Sequence, residues 1–231
     1  MDPFILHIET ATYNGSIALS KGEVLIESRS LNEGEKHIKT LAPAVQKLLD
    51  DNNINSKEIN AIAISEGPGS YTGLRIGVSF AKGFAMATKC KLIGVPTLEI
   101  LKNAMFSKHN VEIAIPLLDA RRMEVYSCVY SKEKVLKTTR PLIIDKESFA
   151  EFKGQRVVFA GNGSEKCSSV LFDENWVFDK EIELNASFML ETALRKFRLN
   201  EFANLVEFEP FYLKEYLAGK ASKKIANILN A

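Results

Sequence analysis

Along the first hundred residues the apolar positions change period several times, and each period predicts an element. Extended runs cover residues 4–10, 15–20 and 24–31, separated by the turn pairs Asn14-Gly15 and Lys21-Gly22, which predicts a three-stranded meander. Ile38, Leu41, Ala42, Val45, Leu48 and Leu49 then recur at helical spacing, and Pro43 among them implies a helix start nearby or a kink. A continuous apolar run at 61–65 predicts a buried strand, 72–89 a helix, 92–95 a strand and 98–106 a helix. The order is βββαβαβα.

The second half repeats that order. Strands are predicted at 112–118, 124–130 and 135–144, a short helix near 147–152, a strand at 156–160 and a helix after Gly163. A short extended run at 176–178 and an apolar-patterned helix from Phe188 to about Phe197 complete it, and residues after Pro210 are expected to cross back to the first half. Two copies of one element order without a sequence repeat predict an α/β protein of two actin-like (ASKHA, ribonuclease H-like) lobes, 1–107 and 108–231, with a cleft between them.

The helix at 72–89 has an unusual surface. Small residues Gly73, Gly77, Ala81 and Ala85 fall one turn apart on one face, and apolar or small positions span roughly 220° of the wheel. Only Arg75, Ser79, Lys82 and Lys89, with Met86, are left on the other side. Each of its three glycines costs about 1 kcal/mol relative to alanine, so packing from outside the helix must compensate. Two readings stay open: a helix sandwiched within its own domain, or one whose outer side docks a second protein.

Candidate chemistry is sparse. The turn from Gly67 to Gly73 matches neither the dinucleotide spacing nor the P-loop, and its Ser70 lacks the Gly-x-Ser-x-Gly elbow and any base. In an actin-like fold two hairpin turns would hold nucleotide phosphates. The first carries Glu9, Thr10 and Thr12, able to orient a phosphate or a magnesium-bound water, or simply to form a strand turn. The second, Asp119-Ala120-Arg121-Arg122-Met123, has arginines where glycine would let backbone N–H groups approach. A third loop, Gly161-Asn162-Gly163-Ser164, admits an adenosine or is a tight turn with a helix cap. His7, His37 and His109 show no helical metal spacing; His7 reads as a core histidine, and no catalytic or metal-binding residue is assigned.

Composition narrows the class. Thirty basic against 29 acidic residues give a formal charge of +1, which excludes the global footprint of a stand-alone nucleic-acid binder. Cys90, Cys128 and Cys167 are too few and too far apart for a disulfide framework or a zinc knuckle. The start MDPFILHIET is wrong for a signal peptide, and no run has the length of a membrane span, so a cytoplasmic location without membrane contact is expected.

GPGSYTGLRIG at 67–77, EKHIKTLAPAVQKLL at 35–49, DARRMEVY at 119–126, GNGS at 161–164 and EPFYLK at 209–214 together resemble the bacterial TsaB (YeaZ) family. The resemblance implies an inactive paralogue of TsaD, the actin-like protein that transfers threonylcarbamoyl to adenosine 37 of tRNA (t6A). It implies a scaffold that pairs with TsaD, or with itself when alone, with TsaE as a third partner and tRNA reached only indirectly through the complex. Carried onto this chain, the family's helical bundle falls on Leu41, Val45, Leu48, Gly73, Leu74, Gly77, Val78 and Ala81. Where TsaD has a His-Leu-Glu-x-His metal motif, this chain has Thr97-Leu98-Glu99-Ile100-Leu101, so neither imidazole is present. No cofactor is expected, ATP being conceivable only at a shared interface around Glu9, Thr10, Thr12, Arg121, Gly161, Asn162 and Gly163. The usual Asp of the first turn is Glu9, whose extra methylene displaces the carboxylate. An actin-like ATPase or phosphotransferase acting alone is the alternative; a peptidase lacks both metal pair and nucleophile–base pair.

Overall fold

The structure is a computed structural model; it describes residues 2–31 and 37–214, without the side chains of residues 37 and 38. The start of the EKHIKTLAPAVQKLL stretch at 35–36 and the crossing segment beyond Lys214 therefore lie outside the described residues.

The first meander is β1 (Phe4–Glu9), β2 (Ser16–Lys21) and β3 (Val24–Ser30), followed by α1 (His37–Asp51), β4 (Ile59–Gly67), α2 (Tyr71–Thr88), β5 (Lys91–Pro96) and α3 (Thr97–Lys108). Its sheet has the order β3-β2-β1-β4-β5, antiparallel within the meander and parallel from β1 through β5. The second half gives β6 (Ile113–Asp119), β7 (Glu124–Ser131), β8 (Val135–Ile143), β9 (Val157–Ala160), α4 (Ser164–Cys167), β10 (Trp176–Asp179) and α5 (Leu190–Arg198). Its sheet runs β10-β9-β6-β7-β8, the same order read from the other edge. The duplicated architecture is thus real.

Alternation along β4 sorts its side chains by size. Ile62 and Ile64 join α1 and α2 on one face, while Ala61 and Ala63 face α3 on the other. Those small residues let α3 lie close, and α3 contributes Leu98, Ile100, Leu101, Ala104 and Met105 to a core that also receives Ala114, Leu118, Val158 and Ala160 from the second sheet. One core therefore bridges both sheets, with α3 as its shared layer. α1 runs through Pro43, which is exposed, so the bond its missing N–H forfeits lies on the side away from the sheet.

The second half departs from the first in two places. The helix expected near 147–152 is only a 3₁₀ turn, Ala150–Phe152, and α4 has four residues. Aromatic side chains cover that face instead: Phe159 stacks on Phe178 at 4.7 Å and meets Phe149 and Trp176 at 5.6 and 5.2 Å. Large rings cover in a few residues the area that a helix would otherwise shield. The second departure is α5, which packs on β1 and β5 of the first sheet rather than on its own. The second sheet's inner face is already taken by α3 and its outer face by the aromatic cluster, so α5 finds its apolar surface across the molecule. The crossing expected after Pro210 accordingly begins by Asn185. Ala186 N–H donates to Ser16 Oγ (2.9 Å), Ala203 N–H to Leu92 O (2.8 Å) and Phe211 N–H to Glu66 O (2.6 Å).

Candidate functional site

The N-terminus of α2 shows what the glycine stripe is for. A Cβ on Gly69 would lie 2.5 Å from Ala11 O, one on Gly73 would strike Thr10 O, and one on Gly77 would strike Thr10 Oγ1. The stripe is a groove that seats the turn between β1 and β2. Ser70 N–H donates to Ala11 O at 2.6 Å, so the first hairpin turn itself occupies the positive end of the helix. Ser70 is the helix cap, its Oγ accepting Gly73 N–H at 3.3 Å.

The same geometry corrects the expected partner contacts. Leu41, Val45, Leu48, Leu74, Val78 and Ala81 are buried in this chain's own core, and Gly73 and Gly77 are buried against Thr10. All eight are covered within the described residues of this one chain. An apolar wheel reports how much surface must be covered but not by what, and here the sheet and the β1–β2 turn cover it. The uncovered side of α2 is a different set: Thr72, Ser79, Gly83 and Met86 are exposed, with Ile76 and Phe80 half-buried between them. Met86 is 70 % exposed, and a Cβ at Gly83 would meet no atom of the described residues within 4 Å.

Beneath the first turn, β1 carries two buried titratable groups. Burial pushes the Glu9 carboxyl up to about 8, against hydrogen bonds from Ala11 N–H (2.5 Å) and Ser65 that favour the charged form. Its Oε2 and the neighbouring Thr10 Oγ1 have no hydrogen-bond partner among the described residues. Burial also lowers His7 to about 3, with Nε2 2.8 Å from Ser20 Oγ, as a core histidine would have it. Glu9 and Thr10 are fully buried beneath the turn, so as phosphate or magnesium-water ligands they have no exposed surface in this structure. Thr12 is half-buried on the same turn, its Oγ1 donating to Asn14 O at 3.3 Å.

The second turn and the third loop close on each other. Asn162 Oδ1 accepts Asp119 N–H at 2.9 Å and Gly163 N–H donates to Leu117 O at 2.9 Å, while a Cβ on Gly161 would lie 2.6 Å from that carbonyl. The glycines serve this packing, which accounts for the tight-turn reading of the loop. Lys166 fills the turn from below: its ammonium pairs with the Asp119 carboxylate and donates to Arg122 O (2.8 Å) and Glu124 O (2.6 Å). Arg121 and Arg122 stay exposed above it, both with left-handed backbones (φ 73° and 50°).

At the positions aligned with the TsaD metal motif, Thr97 Oγ1 accepts Gly67 N–H at 3.1 Å, Leu101 is buried, and Glu99 accepts Thr192 Oγ1 at 3.0 Å. All three are structural. Among the described residues no three His, Cys, Asp or Glu side chains are grouped to hold a metal, and no helix is long and apolar enough to cross a membrane. Lys166 and the strap at 203–212 went unrecognised in the sequence. Lys166 sits in an ordinary Ser-Glu-Lys-Cys turn whose acceptors lie more than forty residues away, and no local pattern signals such a contact.

Two lobes of equal sheet order around a shared helix define an actin-like, ribonuclease H-like protein, and the comparisons refine that class. The chain matches the family model of tRNA N6-adenosine threonylcarbamoyltransferase, TsaD, over residues 31–226. It is 30 % identical to the tRNA threonylcarbamoyladenosine biosynthesis protein TsaB of Escherichia coli, covering 94 % of this chain and 96 % of that protein. It is 27 % identical to the Haemophilus influenzae TsaB over 94 % and 95 %. The solved structure of YeaZ from Pseudomonas aeruginosa superposes with a TM-score of 0.80 at 23 % identity, over 91 % of this chain and all of that one. The chain belongs to the TsaB family, within the wider group that the TsaD family model describes.

Proposed function

We propose that this chain acts in the synthesis of threonylcarbamoyladenosine on tRNA as a non-catalytic subunit that docks on TsaD. It pairs with a second copy of itself when alone and works alongside TsaE in the cytoplasm. The observation that carries the non-catalytic reading is the filling of all three nucleotide-turn positions by the chain's own groups: Ala11 O on the α2 N-terminus, Lys166 under the second turn, Asn162 on Asp119. The absent imidazoles at Thr97 and Leu101 agree with it. A TsaD of Phocaeicola vulgatus is 31 % identical over 48 % of this chain and 37 % of its own length, which supports descent from the transferring enzyme.

The docking surface is the outer side of α2, centred on Ile76, Phe80 and Gly83. Gly83→Arg tests it cleanly. The site is open, so the helix gains about 0.8 kcal/mol from losing a glycine, while a long cation is placed on the contact. The expected result is a raised melting temperature together with weakened TsaD association and weakened t6A formation in a reconstituted reaction. Unchanged association would remove this surface, and t6A formation undiminished when the chain is omitted would remove the subunit role.

A further inference from the structure

We infer that the exposed arginines and aromatic rings around the two hairpin turns form a contact surface for an unpaired segment of RNA. This rests on the proposed role in tRNA modification but goes beyond it, since an accessory scaffold needs no RNA contact of its own.

The surface is assembled by the C-terminal strap. Phe211 N–H is anchored on Glu66 O, which places Tyr212 beside the first turn of α2. There the Arg75 guanidinium lies 4.0 Å from the Tyr71 ring centre and 5.9 Å from that of Tyr212, the rings are 4.9 Å apart, and Arg75 Nε donates to Tyr212 Oη at 3.1 Å. Two residues further on, Lys214 pairs with Glu124 at the start of β7, so the strap passes from the first lobe to the foot of the second hairpin turn. Arg121 and Arg122 project from that turn. On the other side, Tyr13 is 74 % exposed on the first hairpin turn, whose Ala11 is bonded to Ser70 next to Tyr71; Phe211 is 47 % exposed.

The electrostatics favour an anion with flat faces. Of the carboxylates in this area, Asp119 is matched by Lys166 and Glu124 by Lys214, Glu209 acts on Arg75 and Glu183 accepts from Asn14, whereas Arg121 and Arg122 have no carboxylate partner among the described residues. Both hold left-handed backbone conformations that asparagine or glycine would adopt at less cost, so local stability does not explain arginine there. Guanidinium groups suit phosphates, and ring faces and a stacked arginine suit unstacked bases, the combination by which single-stranded RNA is held. A near-neutral chain confines this attraction to the patch.

The test uses the full chain and a fluorescein-labelled RNA hairpin with an unpaired loop, read by anisotropy over a salt series, against the same stem closed as a blunt duplex. The informative variant is Arg121→Asn with Arg122→Gly, which removes two charges while relieving the backbone, so it should melt no lower than the parent. It should bind the hairpin about tenfold more weakly, with the slope of log K against log salt reduced by about 1.4, near 0.7 for each lost contact. Tyr13→Ala, at an exposed position, should weaken hairpin binding by about tenfold and leave the salt slope unchanged. The inference is overturned if the parent does not prefer the hairpin, or if both variants bind it as the parent does. Loss of TsaD association in the arginine variant with RNA affinity intact would also overturn it, making the patch a protein contact. None of these results touches the subunit role, which stands or falls on t6A formation with the chain omitted.

Discussion

Glu9→Gln isolates the most perturbed carboxyl in the molecule. In the folded chain Glu9 holds its proton up to about pH 8, whereas the unfolded chain releases it near 4.5. Between those values the folded state binds one more proton than the unfolded state, so Glu9 makes stability fall as pH rises, by about 1.4 kcal/mol per unit. His7 works the other way. Its folded pKa of about 3 against 6.5 unfolded makes stability rise with pH in that window. From 4.5 to 6.5 the two slopes cancel; above 6.5 only Glu9 acts, costing about 2 kcal/mol by pH 8. Glutamine keeps the shape of the protonated acid but cannot ionise, so the variant loses this alkaline slope. The assay is urea unfolding of both proteins from about pH 5 to pH 9, plotting the difference in stability, which cancels every other titrating group. That difference should move in the variant's favour by about 3–4 kcal/mol between pH 5 and pH 8. A flat difference would show that Glu9 ionises alike in both states and would refute its enclosure beneath the hairpin turn.

Other perturbations probe neighbouring features. Gly77→Leu should destabilise the fold by about 3 kcal/mol in urea titration, since its Cβ meets Thr10 Oγ1 and Ile64, whereas Gly83→Ala should stabilise it by about 0.8 kcal/mol. Lys166→Met removes the cation paired with Asp119 and the donor to Arg122 O, while Asp119 keeps Arg121 N–H and Glu124 O keeps Ala120 N–H, and should cost about 1 kcal/mol, read as a lowered melting temperature. Asp179 is a pH probe of opposite sign to Glu9. Burial works to raise its pKa, but His109, Lys108 and the Glu181 N–H outweigh that and hold it at about 2. Its contribution is therefore complete above about pH 4 and lost as pH falls toward 2. Asp179→Asn should shed about 1 kcal/mol of that acid dependence in low-pH unfolding curves.

The elements were legible because their apolar positions recur with a regular period, two in the strands and about 3.6 in the helices. β1 alternates Leu6 and Ile8 toward the helices with Ile5 and His7 on the opposite side, and α1 repeats Leu41, Val45 and Leu48 inward. Equal element order in the two halves then gave the paired sheets. What pattern could not supply was the identity of each covering surface. α5 reads as the closing helix of its own lobe, yet it packs on β5, because availability of an uncovered sheet face is a property of the whole molecule. The small-residue stripe on α2 reads equally well as a seat for a partner or for a distant turn; only the position of Thr10 and Ala11, some sixty residues upstream, decides it.

That decision bears on function as well as packing. In a nucleotide-binding hairpin the helix N-terminus and the glycine turn must stay open, so that phosphate oxygens meet free N–H groups. Here α2 donates Ser70 N–H to the hairpin's own carbonyl, and the glycines bring that carbonyl in so closely that a side chain at Gly69 or Gly73 would collide with it. The groups that would have bound phosphate now fasten β1 to α2. The inner side of α2 is thereby fixed to its own lobe, and its outer side is the one for which docking is proposed. Gly77 and Gly83 on one helix mark these two sides, the first closed against a side chain and the second open to one among the described residues.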